Sequence, residues 1–148
     1  ISASGIDASR VQMVSGETYA LLSHATAALV TSGTATLETA LFRVPQVVCY
    51  YMRCGWFISR VRPYFLKVPF ISLVNLIAGR EVVPELVADG MNVENVREHL
   101  SQLLPADSPA RLAQLQGYEE MANRLGEPGA PERAASEIIR LIKTRKKS

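Results

Sequence analysis

The sequence predicts an α/β fold: a Rossmann-like parallel sheet with flanking helices over residues 11–90, followed by a helical C-terminal end over 91–148. Three observations carry this. Apolar runs suited to buried strands recur at 27–31 and 46–51, each beside a segment of helical period. A small-residue turn, Ser32-Gly33-Thr34-Ala35-Thr36, joins the first run to a helix in which Leu37, Ala40, Leu41 and Val44 share one face. Beyond residue 91 the strand signals stop and apolar helical stripes follow one another. Strand, helix, strand, helix, strand is the signature of parallel strands joined by crossovers.

Taken in order, residues 1–10 read as a loop. Val11 to Val14 has strand character, and Ser15-Gly16 turns into a short helix from Glu17 to His24 with Leu21, Leu22 and Ala25 inward. Ala27 to Thr31 is expected to be a strand buried on both faces. The helix after it ends near Phe42, because Pro45 forbids continuation. Gln46 to Tyr51 is the next buried strand. Cys54 to Lys67 interleaves Trp56, Phe57, Tyr64 and Phe65 with Arg60 and Arg62, which reads as a core helix with a basic polar face or as a helix lying at a membrane interface. Phe70 to Leu73 is extended, and 74–81 reads as a loop that mixes polar groups into an apolar stretch. A helix from Glu81 or Pro84 to Asp89 is stopped by Gly90. Asn92 caps a helix striped by Val93, Val96, Leu100, Leu103 and Leu104 and ended by Pro105. Ser108-Pro109 starts the next, with Leu112, Leu115, Ala122 and Leu125 in line. After a linker at 126–131, the last helix places Ala135, Ile138, Ile139 and Ile142 on one face and ends in a basic tail.

A chain of 148 residues, 48% hydrophobic, is enough for one core, and 16 basic against 14 acidic residues give no field that would select nucleic acid. Cys49 reads as a small core residue, and neither cysteine has a His or Cys pair at zinc-ligand spacing. No metal or cofactor is expected. The first ten residues lack the pattern of a signal peptide, and no apolar run is long enough to span a bilayer.

The chemistry concentrates at the small-residue turn. The first turn of a helix offers unpaired N–H groups and the positive end of the macrodipole, which suits a phosphate. Gly33 clears space for the anion, and Thr34 and Thr36 cap the helix or add hydroxyl donors. Glu38 leans back over the turn and can accept hydrogen bonds from sugar hydroxyls. The ligand expected is a nucleotide with its pyrophosphate on Ser32 to Thr36 and its ribose at Glu38. The plainer alternative is that Thr34 is only a helix cap and Glu38 a charge placed well against the dipole.

Together with Tyr50-Tyr51-Met52 and the run from Ser72 to Glu81, this turn resembles the C-terminal half of the lipid-A-disaccharide synthase family, over about Val11 to Ile142. The resemblance implies an inverting glycosyltransferase of two facing Rossmann-like domains, the GT-B arrangement. It implies transfer of 2,3-diacylglucosamine from its UDP carrier to 2,3-diacylglucosamine 1-phosphate, in the cytoplasm at the inner face of the membrane. Ser32, Gly33, Thr34, Ala35 and Thr36 would hold the UDP phosphates and Glu38 the ribose; Asn75, Ala78, Gly79, Arg80 and Glu81 would face the donor sugar or its phosphates. Arg80 would neutralise charge on the leaving UDP or pair with Glu81 or Glu85. The same likeness places Val11 to Val14 at the third strand of that domain, so the chain is expected to lack the centre of its sheet, to be inactive alone, and either to pair with a second copy by exchanging strands or helices or to repack. His24 and His99 are read as structural, leaving the catalytic base outside the chain. Alternatives are another UDP-sugar GT-B transferase and a non-catalytic binding or assembly module.

Overall fold

The computed structural model describes residues 8–31, 33–50, 70–126 and 129–145. Among them are three parallel strands in the order β1 (Ala28–Val30), β2 (Gln46–Tyr50) and β3 (Glu85–Val87), with Leu29 opposite Val47 and Val48 opposite Glu85. The helices are α1 (Thr18–His24), α2 (Gly33–Leu41), α3 (Leu73–Ala78), α4 (Val93–Leu103), α5 (Pro109–Leu125) and α6 (Ala130–Arg145). The expected α/β class is what the chain adopts.

Strand β2 alternates between two cores. Val48 faces α2, α3 and the second half of α5, where it packs with Ala40, Val74, Val83, Tyr118 and Met121. Val47 and Cys49 face Leu86, Leu103 and the start of α5 at Ala110. Helix α5 thus passes beneath the end of the sheet where the strands begin, called the foot here, and touches both cores. Polar side chains fasten it there. Gln114 accepts from the Gln46 N–H and donates to the Gln46 carbonyl, both at 3.0 Å, while Gln46 Nε2 reaches the Thr36 carbonyl at 2.9 Å. The Tyr118 hydroxyl lies 3.2 Å from the Val44 carbonyl and 2.9 Å from Gln114 Oε1.

The turn from α2 into β2 closes without glycine. Arg43 takes φ +58°, its N–H bonds the Ala40 carbonyl and that of Val44 bonds Thr39, the two bonds of a Schellman cap, and Pro45 then forbids more helix.

Several elements differ from the sequence reading. Val11 to Val14 forms no ladder, and Met13 is 89% exposed; a strand needs a hydrogen-bonded neighbour, and the described residues offer it none. β1 is an edge strand buried on one side only, with Leu29 50% exposed. No residue of α1 is buried, Leu21 included. Leu41 is exposed because Thr36, Thr39 and Ala40 form the inner face of α2. The stretch read as a loop holds α3, capped by Ser72 Oγ at its start and by Gly79 at φ +67°. The stretch read as a helix before Gly90 holds β3, because the free edge of β2 gives Glu85 to Val87 a partner, and the chain turns only at Ala88–Gly90. Asn92 and Ser108 cap α4 and α5 as expected. Val93 and Leu104 nonetheless point outward, and α5 buries Gln114, Gly117, Tyr118 and Met121 instead of Leu112 and Leu125. The reason is the close approach at Gly117, where an added Cβ would stand 2.5 Å from Val82 Cγ1. Ile138, Ile139 and Ile142 of α6 are exposed. Tyr51, Met52 and the aromatic and basic stretch at 54–67 lie outside the described residues.

Candidate functional site

Helix α2 begins where β1 ends, at the end of the sheet opposite the foot, and this is where the expected phosphate turn lies. Ser32 is outside the described residues. Gly33 has a backbone open to any residue, and nothing stands within 4 Å of where its Cβ would be. Its missing side chain therefore relieves no internal crowding and matters only to something approaching from outside. Thr34 is exposed and Ala35 half-buried. Among the described residues no side chain accepts a hydrogen bond from the N–H of Gly33, Thr34 or Ala35, the groups that the first turn of a helix leaves without a partner in the helix itself. Thr36 differs from the expectation: it is fully buried, and its hydroxyl donates to the Gly33 carbonyl at 2.6 Å while its carbonyl holds Gln46. It braces the turn from beneath.

Glu38 stands five residues after Gly33 along α2, about 7.5 Å of helix rise. Its side chain lines an open cleft of about 460 Å³ whose other wall is Gly16, Glu17, Thr18, Tyr19 and Ala20, at the start of α1. The Tyr19 hydroxyl donates to Glu38 Oε1 at 3.4 Å, and the Tyr19 ring stacks on Phe42 with centroids 5.4 Å apart. Tyr19 has no place in the sequence reading. The one signal in the chain is that Phe42 falls four residues after Glu38, on the same helical face.

The second expected group does not join the first. Asn75 is buried, and its amide is saturated: Oδ1 accepts from Val82 and Val83 at 2.7 and 3.0 Å, and Nδ2 donates to the Val83 carbonyl at 2.8 Å and to Glu85 Oε1 at 2.9 Å. An amide offers two donors and two acceptor positions, so none is left for a sugar. Glu85 also accepts from the N–H groups of Ile71 and Ser72, both at 2.9 Å, placing a carboxylate of the protein itself at the start of α3. The Ala78 and Ile77 carbonyls accept from Arg124, whose guanidinium lies beside Gly79.

Arg80 pairs neither with Glu81 nor with Glu85 through its carboxylates. It reaches Glu120 on α5 at 2.6 Å and holds that carboxyl below its usual range. The preceding residue, Glu119, pairs with Arg43 just past the end of α2. Arg80 and Glu81 line a smaller cavity of about 280 Å³ at the foot, with His99 and Gln102 of α4 and Ala113 and Gln114 of α5. That cavity shares no residue with the Glu38 cleft. Among the described residues, then, Gly33, Thr34 and Ala35 stand at the start of α2, Glu38 lines a cleft further down the same helix that none of those three lines, and Asn75 to Glu81 serve the foot of the sheet.

Cys49 is buried among apolar side chains, which push its thiol up. His24 Nδ1 lies 3.0 Å from the Ala20 carbonyl within α1. Among the described residues, no helix is long and apolar enough to cross a membrane, and no three His, Cys, Asp or Glu side chains gather as a metal site.

A family profile described as lipid-A-disaccharide synthetase matches residues 5–137. The lipid-A-disaccharide synthase of Myxococcus xanthus is 42% identical over 130 residues, covering 88% of this chain and 33% of the relative. That of Anaeromyxobacter dehalogenans is 38% identical over 133 residues, covering 90% and 34%. That of Synechocystis sp. is 35% identical over 140 residues, covering 93% and 35%. The chain thus spans about a third of the length of the curated relatives it matches.

Proposed function

The chain belongs to the lipid-A-disaccharide synthetase family, and from that premise we propose that it carries the donor-nucleotide site of a glycosyltransferase of lipid A synthesis. In this reading the pyrophosphate of a UDP-sugar sits on the N–H groups of Gly33, Thr34 and Ala35, with Ser32 as part of the same turn, and its ribose hydroxyls meet Glu38. The observation that carries it is the pairing of an uncrowded Gly33 with a carboxylate one turn and a half further on that faces an open cleft. As the glycosidic bond breaks, negative charge grows on the departing UDP, and the fixed donors and macrodipole at the start of α2 stabilise it without rearranging.

The donor is UDP-2,3-diacylglucosamine and the acceptor 2,3-diacylglucosamine 1-phosphate, joined with inversion. The acceptor hydroxyl must lose a proton, and the base for that step is assigned to the part of the GT-B enzyme outside these residues. Acylated substrates bring the protein to the inner face of the cytoplasmic membrane. Asn75 and the turn at 78–81 act in this reading by holding the entry to β3. Among the described residues the outer edge of β1 has no strand partner and Ile138, Ile139 and Ile142 are exposed; in this reading exchange with a second copy covers them, and light scattering that finds a monodisperse monomer ends that part of the reading.

Isothermal titration of UDP into the chain and into Glu38→Ala tests the site. The variant should bind about tenfold more weakly, as loss of a charge-assisted hydrogen bond predicts. Equal binding by both would remove Glu38 from the site.

A further inference from the structure

Phe42 directly follows α2, four residues after Glu38, and its N–H bonds the Glu38 carbonyl at 3.1 Å, so the two side chains present one face, and Tyr19 of α1 lies across both. The two rings stack at 5.4 Å with an 18° angle between planes, and the Tyr19 hydroxyl comes to 3.4 Å from Glu38 Oε1. Tyr19 is more than half exposed, so burial does not hold it; the stack on Phe42 does. A tyrosine ring has two side-chain torsions, and fixing its plane fixes where the hydroxyl stands. Among the described residues that hydroxyl is the one hydrogen-bond donor to the Glu38 carboxylate. It occupies one oxygen from the α1 side and leaves the other for the cleft that both residues line.

A glutamate on an exposed helical face otherwise spreads over several rotamers, and each must be given up when it reads two neighbouring hydroxyls in a fixed geometry. A donor already set at one oxygen removes part of that cost. We propose that Tyr19 is a positioning residue: stacked on Phe42, it orients the Glu38 carboxylate toward the vicinal hydroxyls of a ribonucleoside diphosphate. The proposal rests on the assignment of the ribose to Glu38.

The test compares UDP with 2′-deoxy-UDP by titration calorimetry, because their affinity ratio reports how the carboxylate meets the sugar and is insensitive to a general loss of stability. The wild-type chain should prefer the ribonucleotide by about tenfold, and Glu38→Ala should abolish the preference. Tyr19→Phe keeps the stack and loses the hydroxyl; it should keep its thermal midpoint and lower the preference by roughly threefold or more. Phe42→Leu keeps the hydroxyl and loses the stack, and should lower the ratio likewise. An unchanged ratio in Tyr19→Phe, with Glu38→Ala losing it, overturns the role of Tyr19 while leaving the ribose at Glu38. Equal wild-type affinity for both nucleotides, or binding of neither, overturns the Glu38 assignment and this proposal with it.

Discussion

Helices α2 and α3 both follow a serine, at 32 and 72, and the described residues around the two starts differ. At α3 the start is tied down: Ser72 Oγ accepts from the Asn75 N–H, the Glu85 carboxylate takes the N–H groups of Ile71 and Ser72, and the Asn75 side chain ties the first turn to the entry of β3. At α2, among the described residues, Gly33, Thr34 and Ala35 meet no side-chain acceptor, and Glu38 faces an open cleft. On the proposed reading the start of α3 builds the sheet while that of α2 serves a ligand, and the structural difference between them is the Glu85 carboxylate that β3 brings back to the start of α3.

The comparison can be broken most strongly at the closed end. Asn75→Leu strands the N–H groups of Val82 and Val83, the Val83 carbonyl and Glu85, and should cost about 3–5 kcal/mol in urea unfolding. Gly117→Ala drives a methyl group into Val82 and should cost about 1–3 kcal/mol; Val82→Ala in the same chain should recover part of that, a coupling that a double-mutant cycle reads.

Alkali attacks the same end. Burial pushes the Tyr118 phenol well above its ordinary value of 10.0, so the folded chain keeps a proton that the unfolded chain releases. Its contribution is whole below pH 10 and falls as pH rises beyond it, by up to about 1.4 kcal/mol per pH unit until the folded phenol itself titrates. Unfolding midpoints measured from pH 8 to 11 should therefore drop, and drop less steeply in Tyr118→Phe. The smallest effects sharpen the contrast between the two starts. Ser72→Ala should cost about 1 kcal/mol as a lost cap, and Thr34→Ala less than about 0.5 kcal/mol. A loss at Thr34 equal to that at Ser72 would mean that the α2 turn is as closed as the other.

Much of the head of the sheet was legible in the chain. The apolar run, the glycine turn and the proline after the helix are local signals, and β1, α2 and β2 follow them to within a residue or two. The foot was not legible, because its rules are not local. Glu85 to Val87 carries apolar residues whose period fits either a helix turn or a strand, and only the waiting edge of β2 decides between them. The inner face of α5 was misread because the apolar stripe at Leu112 and Leu125 competes with a glutamine, a glycine and a tyrosine whose partners lie far away in sequence. Asn75 illustrates the same limit at the candidate site. A polar residue in an apolar stretch reads equally well as a ligand contact or as a clamp, and its four partners appear only when the chain is folded. Tyr19 is the converse case, an exposed aromatic whose meaning depends on how α1 crosses α2.

The pairing of Gln46 with Gln114 spans 68 residues, and that separation governs the order in which the molecule can assemble. β1, α2 and β2 are contiguous and can form as the chain is made, yet the start of β2 has its backbone bonds completed only after α5 has been synthesised. At some 5–20 residues per second, the nascent strand waits several seconds for its clasp. Through that interval the foot of the sheet is the part of the growing chain most in need of shelter.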